Sequence, residues 1–226
     1  AASDVYKRQD MTRATIETLP ESFFYERAAL LDIKLPATLK SIGRYAFYRC
    51  YGLIQITIPE GVTSIKDHSF EQCLSLKEIK LPTSLTEIQE YAFHECRSLE
   101  SIEFPTNVTN ISSGTFYNCT ALQQVKFPAN LNNISNQAFY QCTALEKANL
   151  PERLTKIENY AFYQCSGLKE VSFPSTLTTL EEQSFFRCSS LTEITLPASL
   201  TYCYRPFYEC HNIKKVTCLA SVPVSY

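Results

Sequence analysis

Ten cysteines and three histidines are the side chains of this 226-residue chain that could serve as nucleophiles, general bases or metal ligands. Eight of the cysteines recur at an almost constant interval, at Cys50, Cys73, Cys96, Cys119, Cys142, Cys165, Cys188 and Cys210. In a secreted protein such a set suggests disulfides, and in an intracellular protein it suggests a metal site or a reactive thiol. The interval has to be explained before any of these chemistries is assigned.

The spacing favours free, buried thiols. Each of the eight stands three residues after a phenylalanine, and Cys203 and Cys218 stand where other repeats have isoleucine or leucine. A small apolar side chain suits all ten positions. Cysteines one repeat apart would have Cα atoms within disulfide range, but their parallel Cβ directions oppose closure of the bond. Since no C-x-x-C motif or histidine pairing accompanies them, disulfides and a metal site remain the less favoured alternatives.

No catalytic constellation is evident among the histidines. His68, His94 and His211 stand in three different repeat contexts, and His94 takes the place of a tyrosine in its column. Nucleophilic catalysis needs a base within about 3 Å of the nucleophile, usually in a cleft. Glycine is too scarce for a phosphate-binding loop. We therefore predict a protein that is not an enzyme and has no catalytic residues, bound metal or cofactor.

A proline recurs every 23 residues, at Pro36, Pro59, Pro82, Pro105, Pro128, Pro151, Pro174 and Pro197. A constant period of about 20–29 residues is typical of a leucine-rich-repeat solenoid. In Leu76–Leu81, Ile79 and Leu81 alternate with charged residues, which predicts a short strand with one buried face. Equivalent strands would stack into a parallel sheet, and the proline would end each of them.

Two further elements are expected in each coil of this mostly β fold. A second apolar pair, such as Leu85 and Ile88, predicts a shorter strand on the opposite side. The A-F-x-x-C segment, as in Ala161–Cys165, would then return the chain through a corner that is either an irregular turn or one turn of helix. Neighbouring coils must supply the other walls around each phenylalanine.

The complete pattern, L-x-x-I-x-[IL]-P-x-x-[LV]-x-x-I-x-x-x-A-F-x-x-C, resembles the BspA-like class of leucine-rich repeats found in large surface proteins of bacteria and some protists. The resemblance covers roughly residues 16–218. It implies a binding or adhesion surface, often in an array attached to the cell envelope. It therefore implies an extracellular or cell-surface location and a host or neighbouring-cell protein or glycan as partner.

The chain divides into three segments. Residues 1–9 resemble a translated sequencing adaptor, so we expect them to be a non-native tail on a metagenomic fragment, with an ordinary basic tail as the alternative. Residues 10–200 are predicted to form the solenoid. Residues 201–226 are predicted to be a divergent last coil, truncated at its end, because one residue is missing between Leu200 and Phe207 and Pro206 takes the alanine position.

Composition excludes some partners. The formal net charge is -2, and lysine and arginine form no stripe, so we expect no nucleic-acid ligand. No run of about 18 apolar residues occurs, so no membrane insertion is predicted in this fragment.

Two surfaces could bind a ligand. The outward strand positions are mixed in charge and poor in aromatic residues, as on an ordinary solvated face. The residue after each core phenylalanine is aromatic in seven of nine coils. Four of these follow in succession and are the predicted ligand-binding residues: Tyr117, Tyr140, Tyr163 and Phe186. They could equally form a purely structural ladder.

Three functions are compatible with these observations. The first is a non-catalytic binding or adhesion module of a cell-surface or secreted protein, which the resemblance favours. The second is a structural spacer, and the third is an accessory region of a larger enzyme whose active domain lies outside this chain.

Overall fold

A computed structural model describes residues 7–219 as a solenoid of stacked coils built from 19 short strands and turns, with no helix in that range. The strands are numbered β1 to β19 in chain order. The odd-numbered strands lie on one side of the solenoid and have mostly three residues: β1 (Arg8–Asp10), β3 (Asp32–Lys34), β5 (Gln55–Thr57), β7 (Glu78–Lys80), β9 (Ser101–Glu103), β11 (Gln124–Lys126), β13 (Lys147–Asn149), β15 (Glu170–Ser172), β17 (Glu193–Leu196) and β19 (Lys215–Cys218).

The even-numbered strands form the second side and have two residues each: β2 (Thr18–Leu19), β4 (Ser41–Ile42), β6 (Ser64–Ile65), β8 (Glu87–Ile88), β10 (Asn110–Ile111), β12 (Asn133–Ile134), β14 (Lys156–Ile157), β16 (Thr179–Leu180) and β18 (Tyr202–Cys203). The strand pairings within residues 7–219 are parallel, and most join residues 23 apart, such as Ile56 with Ile79. The predicted solenoid with a sheet on one face and a shorter second strand in each coil is confirmed.

Alternation along the odd strands places one side chain inward. In β7 the central Ile79 is buried between exposed Glu78 and Lys80, because successive side chains of a strand point to opposite faces. The proline that follows begins a turn in which its carbonyl accepts the N–H three residues on, as from Leu85 to Pro82 at 3.2 Å. The repeated proline therefore both ends the first strand and directs the chain to the second.

The second sheet is interrupted at one place. It consists of a four-stranded part, β2 to β8, and a five-stranded part, β10 to β18. At the break, the hydroxyl of Ser112 donates to the carbonyl of Ile88 at 2.6 Å, where the equivalent bond elsewhere comes from a backbone N–H, as from Ser135 to Ile111. A side chain thus replaces a backbone donor between the two parts.

The corner is a run of turns, which is the irregular alternative and not the helical one. Its backbone N–H groups alternate between two acceptors. The N–H of Phe139 donates to Ala161 of the next coil at 2.7 Å, whereas that of Tyr140 donates to Gln137 of its own coil at 3.2 Å. The alternation depends on left-handed residues at two positions per coil, such as Gln137 and Gln141 with φ of 57°.

The core is a continuous stack of phenylalanines. Rings from Phe47 to Phe185 are fully buried, with centroids 4.9–5.5 Å apart and planes within 11° of each other. Such offset stacking is favourable for aromatic pairs. No coil can bury its own ring without its neighbours, so stability is shared along the array.

Eight cysteine thiols donate hydrogen bonds to backbone carbonyl groups inside this core. Cys142, for example, donates its S–H to the carbonyl of Phe116, 26 residues earlier, at 3.2 Å, and the same bond recurs along the column. Nine of the ten cysteines are buried free thiols. Cys218 is exposed, so the expectation that it occupies a core position was wrong. It lies on β19, the last described strand, which has a neighbouring strand, β17, on one side only within the described range.

The register changes at both ends. Strands β17 and β19 pair at a separation of 22 residues, as the missing residue near Phe207 requires. In strands β1 and β3 the paired residues are 24 positions apart in the sequence. Strand β1 includes Arg8 and Gln9, which belong to the segment predicted to be a non-native tail. Residues 1–6 of that segment and residues 220–226 of the predicted last coil lie outside the described residues, so the three-part division remains a prediction.

Candidate binding surfaces

The four predicted ligand-binding residues form one row on the corner, here called the tyrosine ridge: Tyr117, Tyr140, Tyr163 and Phe186. Each follows a core phenylalanine, and the corner backbone turns it away from the core. Successive ring centroids lie 4.3, 4.5 and 4.5 Å apart, and the ring planes are within 11° of parallel. The structure therefore brings all four together as a stack.

This close stacking limits what the ridge can offer a ligand. The faces of the inner rings cover one another, so their exposed parts are edges and phenol hydroxyls. Phe186 is only 6% exposed, and the guanidinium of Arg187 lies 5.0 Å from its ring centroid. The usable surface therefore belongs to Tyr117, Tyr140 and Tyr163, which are half-buried.

Two hydroxyls of the ridge have a raised pKa. Burial is the main cause that raises the pKa of Tyr140 and of Tyr163; Tyr117 raises the pKa of Tyr140 further, and Tyr140 raises the pKa of Tyr163 further. Neutral phenols both donate and accept hydrogen bonds. The ridge is thus a rigid row of such groups, with a spacing of about one coil, or roughly 4.8 Å.

A polar ladder runs beside the whole aromatic column that contains the ridge, one residue further along each coil. Gln141 donates to Gln164 at 2.6 Å, and Arg49 donates to Gln72 at 2.9 Å. Arg49 also pairs with Glu26 at 3.0 Å. Because these side chains hydrogen-bond to one another from coil to coil, they fix the outer rim of the corner.

The aromatic column is interrupted by a carboxylate at Glu71, which is 9% exposed. Its two oxygens bind two histidine ring nitrogens: Nδ1 of His68 at 2.5 Å and Nδ1 of His94 at 3.0 Å. His68 is in turn stacked between Tyr45 and Tyr91, at 4.9 and 5.3 Å. We call His68, Glu71 and His94 the His–Glu–His cluster.

The histidines in this cluster hold Glu71 ionised. Burial raises the pKa of Glu71, but hydrogen bonds from His94 and His68 lower it more, so its pKa lies below the ordinary value. A carboxylate that orients an imidazole is one part of a general-base arrangement. Here tyrosine rings surround the imidazoles, so the observed contacts are those of a structural polar cluster.

Sequence reasoning missed this cluster because it treated His68 and His94 as unrelated. The signal was available in the repeat: His68 is three residues before Glu71, and His94 is one 23-residue period after it. Residues one period apart are neighbours in adjacent coils, so a lone acid in an aromatic column should be compared with its neighbours at plus and minus 23.

The outward face of the odd strands carries charges that pair among themselves. Lys147 contacts Glu170 at 3.0 Å, and Lys126 forms an ion pair with Glu103, in each case between adjacent coils. Over β3, β5 and β7 this face forms an open groove of about 590 Å³. Across residues 7–219, no group of three or more His, Cys, Asp or Glu side chains is arranged to hold a metal ion. That range also has no helix suited to crossing a membrane.

Comparison with known proteins agrees with the observed repeat. A family model described as a BspA type leucine rich repeat region matches residues 17–146 and 132–224. A search of the curated proteins finds no match to the chain.

Several solved structures share the fold. A leucine-rich repeat protein from Bacteroides ovatus superposes with a TM-score of 0.79 at 28% identity, covering 91% of this chain and 59% of that protein. The T. pallidum leucine-rich repeat protein superposes with a TM-score of 0.60 at 27% identity, and the match covers 78% of this chain and 72% of that protein. A leucine-rich cell surface protein from Faecalibacterium prausnitzii superposes with a TM-score of 0.58 at 21% identity, and the match covers 93% of this chain and 81% of that protein. This likeness shows the fold alone. The chain thus spans about three fifths of the B. ovatus protein.

Proposed function

Because the chain belongs to the BspA-type leucine-rich-repeat family, we propose that it is a non-catalytic macromolecule-binding or adhesion module of a cell-surface or secreted protein. Its partner is a protein or glycan of a host or neighbouring cell. A stack of similar coils supports this proposal, because it distributes weak contacts over an extended face and does not enclose a deep pocket. The F. prausnitzii protein of the same fold is itself a cell surface protein.

The observation that carries the proposal is the tyrosine ridge. Tyr117, Tyr140 and Tyr163 are held rigid by stacking, so little side-chain entropy is lost when a partner binds them. Tyrosine is enriched among residues that dominate binding energy. Since the inner ring faces are covered, the partner must present hydrogen-bonding groups to the hydroxyl row. A sugar ring stacked on a tyrosine face does not fit this geometry.

The test separates the hydroxyls from the rings. The triple variant Tyr117→Phe, Tyr140→Phe, Tyr163→Phe keeps the stack and removes only the hydroxyls. On an array of host matrix proteins and glycans, we expect it to lose binding that the wild-type chain shows, with an unchanged circular dichroism spectrum. A triple change to Ser that abolishes binding while the Phe variant binds normally would place recognition on the ring edges instead.

The self-paired charges on the odd-strand face favour a second candidate, a structural spacer. Lys147 pairs with Glu170 and Lys126 with Glu103, so that face offers few unmatched charges to a partner. If the wild-type chain binds no member of the array, the spacer function replaces the adhesion function. Reversing Lys80 and Lys126 to Glu tests the odd-strand face in the same assay, where loss of binding would move the contact there.

A further inference from the structure

The tyrosine ridge stands on a part of the corner that carries no charge. Three successive corner segments contain no Asp, Glu, Lys, Arg or His, and these are residues 112–123, 135–145 and 159–168. Each of the other six corners among residues 7–219 carries at least two charged residues, such as Arg44 and Arg49, or Glu182 and Arg187. The exposed side of the three uncharged segments is here called the neutral face.

The fold does not require this neutrality. Gln141 on the neutral face shares its column with Arg49, Glu95, Arg187 and Glu209 of the charged corners. All five residues have the same left-handed backbone, with φ between 54° and 60°. Because arginine and glutamate occupy this position elsewhere with the same backbone, the uncharged residues of the neutral face need a cause other than folding.

The neutral face offers hydrogen-bonding groups that the chain itself leaves unused. Gln141 donates to Gln164 at 2.6 Å, which leaves Oε1 of Gln141 and Nε2 of Gln164 without a partner among residues 7–219. The exposed side chains of Asn136 and Asn159 have no partner in that range either. Together with the phenol hydroxyls of the ridge, these amides provide both donors and acceptors.

The same face offers little to the apolar anchor of a protein partner. Protein interfaces are dominated by aromatic and other large side chains that fill desolvated pockets. Here the core rings are fully buried and the inner tyrosine faces cover one another. An open groove of about 460 Å³ beside the face is lined by polar side chains, among them Thr143, Ser166 and Ser189, and by no aliphatic one.

The charges that border the neutral face are mostly paired within the chain. The pairs are Lys156 with Glu158 and Glu181, Lys169 with Glu146, Arg97 with Glu95, and Arg187 with Glu209. Two border residues have no ion pair among residues 7–219, and these are Glu90 and Glu182. They stand four coils, or about 19 Å, apart at opposite ends of the face, so they form no acidic site. Both disfavour an anionic partner.

We propose that the neutral face binds an uncharged glycan that lies along the solenoid axis across the three coils. The inference rests on the proposed function and names the class of partner for the same ridge. Sugar hydroxyls both donate and accept hydrogen bonds, so they match the phenols and amides of the face. A charged ligand would be desolvated here without gaining an opposite charge, which is unfavourable.

Two substitutions at one position determine whether the partner is charged. Gln141→Arg and Gln141→Glu introduce residues that already occupy this column, and Arg49 donates to Gln72 as Gln141 does to Gln164, so both variants should fold normally. A neutral ligand should lose affinity with either variant, because it covers the new charge and offers it no counterion. A charged ligand would instead respond to the two variants in opposite directions.

The assay uses the chain displayed on beads, because many weak contacts then act together. The beads are applied to an array of neutral mannose, galactose and N-acetylglucosamine oligosaccharides, their sialylated and sulfated counterparts, and dextran. We expect the wild-type chain to bind neutral members, and each Gln141 variant to bind them at least about tenfold more weakly. Binding to dextran alone would identify the source as a polysaccharide, and binding to the oligosaccharides alone would identify it as a protein-linked glycan.

Two controls accompany these variants. Gln55→Glu places the same charge on the odd-strand face, in a column where Glu78 stands, and should bind like wild type. The triple Tyr→Phe variant of the ridge should lose binding, and a permethylated form of the bound oligosaccharide should not compete, because each lacks hydroxyls that the hydrogen bonds need.

Several results would overturn the uncharged glycan. They are opposite effects of the two Gln141 variants, binding to sialylated or sulfated glycans alone, or undiminished binding by both variants. If the chain binds matrix proteins but no glycan, and the triple Tyr→Phe variant loses that binding, the proposed function stands and the glycan inference fails. If neutral glycans bind the triple Tyr→Phe variant normally but not the Gln141 variants, the glycan inference stands and the hydroxyl row fails. Absence of any binding contradicts both.

Discussion

Phe139 lies in the middle of the phenylalanine stack, and its replacement by alanine measures how strongly one coil depends on the next. The ring is fully buried, with Phe116 and Phe162 stacked on its two faces at 5.4 and 5.1 Å. Phe127 meets it edge-on at 5.8 Å. Phe139→Ala removes all three ring contacts and leaves a cavity between coils.

The structure sets the size of the effect. Aromatic pairs contribute about 0.5–1.5 kcal/mol each beyond the area that they bury, so three contacts account for about 1.5–4.5 kcal/mol. Complete truncations of buried phenylalanine cost about 3–5 kcal/mol in total, because a cavity remains. We therefore expect Phe139→Ala to lower the free energy of unfolding by about 3–5 kcal/mol.

The adjacent ridge residue supplies the control. Tyr140 makes two stacked contacts but is half-buried, so its truncation exposes less new apolar surface and leaves no enclosed cavity. Tyr140→Ala should cost about 1–2 kcal/mol. Both variants are unfolded with urea and followed by circular dichroism. Equal losses, or a loss below about 1 kcal/mol for Phe139→Ala, would refute the assignment of the two columns to the inside and the outside.

Four further predictions follow from single groups. In the native protein only the exposed Cys218 should take up a thiol reagent, and all ten cysteines should do so after unfolding without reductant, as counted by mass spectrometry. Glu71→Gln should destabilise the protein at neutral pH, and the difference from wild type should shrink below about pH 4.5. Ser184→Ala should be neutral or stabilising by up to about 1 kcal/mol, because the buried hydroxyl has no hydrogen-bond partner. Gln137→Gly should stabilise by about 0.5–1 kcal/mol, because its φ of 57° favours glycine.

The direction of the Glu71 effect follows from its lowered pKa. A carboxyl group whose pKa is lower in the folded state binds its proton less tightly there than in the unfolded chain. Its contribution to stability is present above its ordinary value of 4.5 and is lost as the pH falls through the folded pKa. A difference between wild type and Glu71→Gln that grows on acidification would contradict the hydrogen bonds to His68 and His94. For Ser184, a loss of stability above about 1 kcal/mol would show that the hydroxyl is bonded.

The repeat predicted the core because every inward residue has the same neighbours, one period before and after. Phe139 and Cys142 could be placed from their columns alone, since burial at one coil implies burial at the next. The role of the thiols could not be read in this way. That Cys142 donates to the carbonyl of Phe116 depends on the turn of the corner, which leaves this oxygen facing the next coil.

The backbone conformation of the corner could not be predicted from the sequence. Within residues 7–219, seventeen residues other than glycine have positive φ, among them Tyr160 and Arg187. Glycine and asparagine usually mark such positions, and here tyrosine, glutamine, glutamate and arginine occupy most of them. The left-handed conformation is therefore not a local preference of these residues. It is imposed by the hydrogen bonds that join each corner to the next, so it is a property of the stack.

The same reasoning explains why the exposed apolar residues Tyr51 and Ile54 and the His–Glu–His cluster were missed. A repeat pattern is found by what the coils share, and the shared residues are those of the core. Tyr51, Ile54 and Glu71 are departures from their columns, and departures carry no weight in a consensus. Yet the fold tolerates polar residues at the positions of Tyr51 and Ile54, as Thr120 and Gln123 show, so the apolar side chains there need a cause other than folding. In a solenoid, the consensus therefore locates the scaffold, and the coils that depart from it at exposed positions locate the surfaces specific to this chain.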